Sequence, residues 1–254
     1  MDARCRMQDV LHLGSWIGAK RPILDPGSWI SAKRQILHLF SYLSPMKPKQ
    51  ILIPHLYTLH ISLDGIAPPI WRRLVVDSST TLFELHIYIQ ILLGWKSYHL
   101  YRFNKGGVEF GDPRLWNEDP IIDDRRIALE MVLKKTGDSM QYEYDLGDGW
   151  MHTIKLEEIN RDEERAFRKP VCLDGENAAP PEDVGGVHGF RKFREAIADP
   201  DHPEYKSYRQ WAGWRYDPCS FDLKKANKGL AGRRSFIFEY NLGIEIPNYI
   251  PKIR

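Results

Sequence analysis

Cysteine is scarce. The 254 residues hold three, Cys5, Cys172 and Cys219, far apart and without a CxxC pair. That spacing argues against a disulfide framework and suits a reducing, cytoplasmic setting. Long apolar runs are missing as well: none approaches the ~20 residues of a membrane span. No apolar segment follows Arg4 and Arg6, so a signal peptide is not expected. A surplus of one charge sign is also lacking. The net charge is +2, and residues 46–254 carry thirty Lys/Arg against thirty-one Asp/Glu. The body of the chain is therefore no general sponge for phosphates. Finally, GxSxG, HExxH, a Walker-type phosphate loop and GxGxxG are all absent, which removes the reaction classes those motifs announce.

What is present begins with a duplicated leader. Residues 14–24 (GSWIGAKRPIL) and 27–37 (GSWISAKRQIL) agree at nine of eleven positions, 13 residues apart. Two copies are too few for a solenoid, and Pro22, Pro26 and Pro45 break any long helix. Residues 1–45 read as an unstructured, repeat-containing extension, and residues 46–254 as one domain.

In the body, Tyr57, Leu59, Ile61 and Leu63 alternate with polar residues, which predicts a half-buried strand. Residues 65–69 (GIAPP) turn the chain into a second strand, IWRRLVV, whose buried face also carries Arg72. That guanidinium must snorkel or find a partner. A helix follows, with Thr81 and Glu84 as a capping box and Gly94 as its stop. His86 lies beside its apolar stripe and His99 follows it. Without ligand spacing, both read as packed histidines rather than metal ligands. Short helices are expected over GGVHGFRKFREAIADP, PEYKSYRQWAGW and FDLKKANKGL. The order of elements predicts an α+β fold rather than a regular βαβ alternation: a roll-like mixed sheet, an early packed helix and several C-terminal helices.

The stretch densest in chemistry is YEYDLGDGWMH, residues 142–152. A two-residue loop at Asp148-Gly149 would set Asp145 opposite His152 as an acid–imidazole pair. A three-residue loop, 147–149, instead gathers Tyr142, Tyr144, Leu146, Trp150, Ile154 and Leu156 on one face. Because register follows burial, the second is favoured. His152 then sits among aromatics and Asp145 lies on the other face.

Six segments stand in a fixed order: YTLHISLDGIAPPIWRRLVV, TLFELHIYIQILLGWKSYHLYRF, YEYDLGDGWMHTIKLE, PPEDVGG, DPDHPEY and YDPCSFDLKKANKGL. Over residues 54–230 they resemble the plasmid pRiA4b ORF-3-like family, passengers of plasmids and insertion elements sometimes labelled TnpR. The resemblance implies an α+β roll-like fold and no known activity. The family pattern usually has Phe where Leu146 stands, and often Cys where Ala179 and Val184 stand. A thiolate metal site built from those positions with Cys172 is therefore not expected.

The acids Asp145, Asp148, Glu182, Asp183 and Asp217, with His152, are the catalytic candidates, although turn and helix-terminus chemistry explains each acid on its own. Trp71, Arg72 and Arg73, together with Trp211, Trp214 and Arg215, are the binding candidates, since aromatics and arginine give stacking and phosphate contacts. The leading expectation is a non-enzymatic binding or accessory module without a cofactor, its partner a protein or a nucleic-acid strand. The alternative is a metal-dependent phosphoester hydrolase with Mg²⁺ or Mn²⁺ held by Asp148, Glu182 and Asp183.

Overall fold

The computed structural model describes residues 55–116, 121–160, 169–237 and 240; the leader expected over residues 1–45 lies outside them. Eight strands form one sheet: β1 Leu56–Leu63, β2 Ile70–Asp77, β3 Tyr101–Lys105, β4 Val108–Gly111, β5 Ile122–Asp123, β6 Ser139–Tyr144, β7 Trp150–Asn160 and β8 Val171–Glu176. Their order is β5-β4-β3-β6-β7-β1-β2-β8. Among the described strands only β4 and β5 pair in parallel. The helices are α1 Leu82–Leu93, α2 Leu129–Val132, α3 Gly186–Ala198, α4 Tyr205–Ala212 and α5 Leu223–Ala231. This is an α+β fold with a mixed sheet.

The strands alternate because one face of the sheet is packed and the other is half-exposed. Ile70, Arg72, Leu74 and Val76 are buried along β2, while Trp71, Arg73 and Val75 between them are only half-buried. Against the packed face lies α1, which is buried on nearly every side, as a helix apolar all round should be. His86 stacks on Tyr101 beneath it at 3.5 Å, and a side-chain atom at Gly229 of α5 would strike Ile91 on its far side. The capping box is present in both directions at Thr81 and Glu84, and Gly94 closes the helix at φ 76°.

Arg72 finds its partners in carbonyl groups. Only 2% exposed, it donates to the carbonyls of Trp71, Leu92, Glu176 and Asn177 and lies over the ring of Phe221. Burial pulls its pKa down to about 10, so it stays charged at neutral pH. This removes Arg72 from the expected binding strand: its donors fasten β2 to the end of α1 and to β8. Arg73 is held by Glu157 at 2.7 Å and lies over Trp71. Trp71 stacks on His60 and donates to Glu176.

The hairpin of β6 and β7 corrects the expected loop. Tyr144 pairs with Trp150 and Tyr142 with His152, so five residues, 145–149, make the turn. The shift from the expected pairing is two positions. Parity survives, and with it the apolar face. Leu146 alone changes side and is 39% exposed. The cause is local. Asp145 takes a left-handed conformation at φ 55°, its Oδ1 accepts from the N–H groups of Gly147 and Asp148, and the Gly149 N–H bonds its carbonyl. This Asx-type turn ends the ladder before Leu146 can join it.

Candidate functional site

Three loops meet beyond the ends of β3 and β6: residues 95–100 after α1, the turn 145–149, and residues 180–185 ahead of α3. Pairing of Tyr101 with Tyr144 brings the first two together, and the Asp145 N–H bonds the Leu100 carbonyl at 2.8 Å. The third is tied to both. Glu182 accepts the Tyr144 hydroxyl at 2.6 Å and the Lys96 N–H at 3.2 Å. Asp148 Oδ2 accepts the Gly185 N–H at 3.1 Å. At Gly186, φ 65°, a Cβ would lie 2.3 Å from the Asp148 carbonyl oxygen, so only glycine permits this approach.

At the meeting point are His99, Asp145 and Asp183, with one donor atom of each inside a span of 4.8 Å. His99 Nε2 lies 3.2 Å from Asp183 Oδ1 and 3.6 Å from Asp145 Oδ2. Despite these distances the buried Nε2 makes no hydrogen bond among the described residues. The three atoms are close enough to share one ion. For metal bonds of about 2.1 Å, neighbouring ligand atoms sit about 3.0 Å apart in an octahedron and about 3.4 Å apart in a tetrahedron. Asp145 spends Oδ1 on its own turn and leaves Oδ2 to the cluster. Asp183 is 73% exposed at its side chain, which leaves the cluster open to solvent on that side.

Asp145, Asp148, Glu182 and Asp183 therefore stand together with one imidazole. Among the described residues no lysine or arginine forms an ion pair with any of them. Such a set of carboxylates attracts a cation. Burial, reinforced by the adjacent Glu182 carboxylate, raises the Tyr144 pKa far above the ordinary phenol value, so Tyr144 stays protonated and serves as the donor to Glu182. Its ring meets His99 edge-on at 5.8 Å. Four described non-glycine residues have positive φ: Ser97, Asp145, Asn177 and Asp183. Three of the four are in these loops, and strained backbone of this kind persists where surrounding structure enforces it.

The expected acids and imidazole separate into four groups. Asp145 and Asp183 belong to the cluster. Asp148 and Glu182, expected as ligands, instead spend oxygens on holding the loops. His152 lies in the core: it is fully buried, its Nδ1 lies 3.0 Å from the Trp150 carbonyl, and burial lowers its pKa to about 4. Asp217 makes only its own turn, accepting from the Cys219 N–H. The imidazole of the cleft is His99, which sequence reasoning set aside because its co-ligands lie 46 and 84 positions away. His86 is a packed histidine as expected, bonded to Tyr142 and Ser97. Trp211 and Trp214 are 48% and 64% exposed, Arg215 is exposed, and α4 buries none of its residues.

Comparison with known proteins gives three findings. The model of a family described as plasmid pRiA4b ORF-3-like protein matches residues 55–225. An uncharacterized protein of Sinorhizobium fredii, y4hQ, is 36% identical over 187 residues, covering 70% of this chain and 92% of the relative. The crystal structure of a protein of unknown function from Methanosarcina mazei, MM3350, superposes with a TM-score of 0.60 at 34% identity, over 68% of this chain and 97% of that one. No described helix is long and apolar enough to cross a membrane.

Proposed function

This chain belongs to the plasmid pRiA4b ORF-3-like family, and we propose that it binds a divalent cation through His99, Asp145 and Asp183 and acts through it on a phosphoester. The observation that carries this reading is the convergence of the three donor atoms from three separate loops within 4.8 Å. One imidazole and two carboxylates suit Mn²⁺ or Zn²⁺ better than Mg²⁺, which prefers oxygen and retains its water. Three protein ligands leave positions for water and substrate. There the ion would lower the pKa of a bound water and polarise a phosphoryl oxygen. Asp148 and Glu182 hold the loops that carry the ligands, the part outer carboxylates take around metal sites.

Calorimetric titration of the full chain with Mn²⁺ and Zn²⁺ tests the cation, and release of nitrophenol from bis(4-nitrophenyl) phosphate tests the reaction. Binding at one site, lost in His99→Ala and Asp183→Asn, is the expected outcome. Absence of binding contradicts the reading. Binding without turnover in any metal leaves a cation-dependent binding module, the non-enzymatic alternative. A second surface supports a binding role: the exposed Trp211, Trp214 and Arg215 around the end of α4 offer stacking and charge to a protein or nucleic-acid strand.

A further inference from the structure

The loop that carries His99 is held unusually well for one that displays an exposed aromatic ring. Four consecutive backbone N–H groups are bonded: Trp95 to the Gln90 carbonyl, Lys96 to Glu182, Ser97 to Gln90 Oε1 and Tyr98 to the Tyr144 hydroxyl. From beneath, the Ser97 hydroxyl meets the buried His86 at 2.7 Å, and the Trp95 indole donates to the Pro180 carbonyl. Yet the Tyr98 side chain, immediately before His99, is 52% exposed. Among the described residues its ring meets only the Lys96 ammonium, 5.5 Å from the ring centre. Lys96 forms no ion pair among the described residues although four carboxylates surround the cleft. In the facing loop, Leu146, next to Asp145 in sequence, is also exposed. Two of the three candidate ligands thus adjoin an exposed apolar side chain in sequence.

An exposed ring on a rigid support loses little conformational entropy when something stacks on it. An unpaired ammonium beside it offers charge to an anion, and the cation between His99, Asp145 and Asp183 offers more. The two together call for a ligand that has both a flat ring and a phosphate. Resting on the cation reading above, we propose that the cleft takes a nucleoside 5′-phosphate. Tyr98 carries the base, and the cation and Lys96 carry the phosphate. The phosphate sits on the negative cleft only when the ion is present.

The test compares adenosine 5′-monophosphate with ribose 5-phosphate on the full chain loaded with Mn²⁺, whose own affinity is measured first. The base should tighten binding by about tenfold, the scale of one base stacked on one aromatic side chain. Tyr98→Ala should abolish that difference and leave ribose 5-phosphate binding unchanged, while Tyr98→Phe retains it. Lys96→Ala should weaken both ligands alike. The ring is exposed, so unchanged thermal melting of Tyr98→Ala verifies its fold. A 5′-phosphorylated tetrathymidylate distinguishes the source: tighter binding than the mononucleotide identifies a strand end, weaker binding a free nucleotide. Equal affinity for the two small phosphates in wild type, or a base preference that survives Tyr98→Ala, overturns the nucleotide and leaves the cation site standing. Failure of Mn²⁺ to bind overturns both.

Discussion

Gly149 and Gly186 both have positive φ, at 65°, but for different reasons. A Cβ at Gly149 would meet nothing within 4 Å, so only backbone strain opposes a side chain there. At Gly186 the same Cβ would strike the Asp148 carbonyl, and the turn and the α3 loop would have to part. Gly149→Ala should therefore cost about 1 kcal/mol and Gly186→Ala about 2–3 kcal/mol, measured by urea unfolding. Equal costs would mean that the loops are free to separate. At this scale the sequence was partly readable. That Arg72 needed a partner followed from its place on an apolar face. That the partners would be four carbonyls did not: one is its own neighbour Trp71, but the other three come from α1, the end of β8 and the residue after it, whose approach no local pattern encodes.

The elements were more legible than the contacts between them. Period-two alternation marked β1 and β2, and the Thr81–Glu84 box and Gly94 marked both ends of α1, since each signal is local. The β6–β7 turn was misjudged in length, though not in parity. Burial fixes which face a strand turns inward, whereas the loop length was set by the Asx turn at Asp145. The cleft is harder still to read. His99 and Asp145 become neighbours only through the β3–β6 register, and Asp183 only because Glu182 and Asp148 fasten its loop. Those fastenings make a prediction. Glu182→Ala removes the acceptor for both Tyr144 and Lys96 and should weaken Mn²⁺ binding roughly ten- to a hundredfold, the usual effect of losing an outer-shell partner. Glu182→Gln keeps a carbonyl acceptor and should restore most of it. If Glu182→Ala binds Mn²⁺ like wild type, the loop ties do not position the ligands.

For the whole molecule, the buried imidazoles set the response to acid. Burial lowers His152 to about 4 and takes His86 well below its ordinary value. Unfolded, both titrate near pH ~6.5. Their contribution to stability is therefore full above pH ~6.5 and is lost as pH falls toward the folded values, because the unfolded chain takes up the protons first. For His152 that loss amounts to about 3 kcal/mol. Asp124 acts oppositely: burial lifts it to about 6, so the folded state gains its proton first as pH drops. Half-buried His60, lowered by burial, and Asp77, raised by burial, oppose each other in the same way, so the two fully buried imidazoles outweigh Asp124 and the urea midpoint should fall between pH 6.5 and 4.5. A flat or rising midpoint would show that these histidines do not remain neutral in the fold.

The proposed chemistry is confined to one place in the molecule, the cluster of His99, Asp145 and Asp183. Crystals of the full chain soaked in MnCl₂, with anomalous data collected at the manganese edge, test it most directly. The predicted result is one peak bonded to His99 Nε2, Asp145 Oδ2 and Asp183 Oδ1 at about 2.1 Å, absent from His99→Ala crystals. A cleft without a peak in soaked wild-type crystals, with His99 hydrogen-bonded to Asp183 instead, would contradict it.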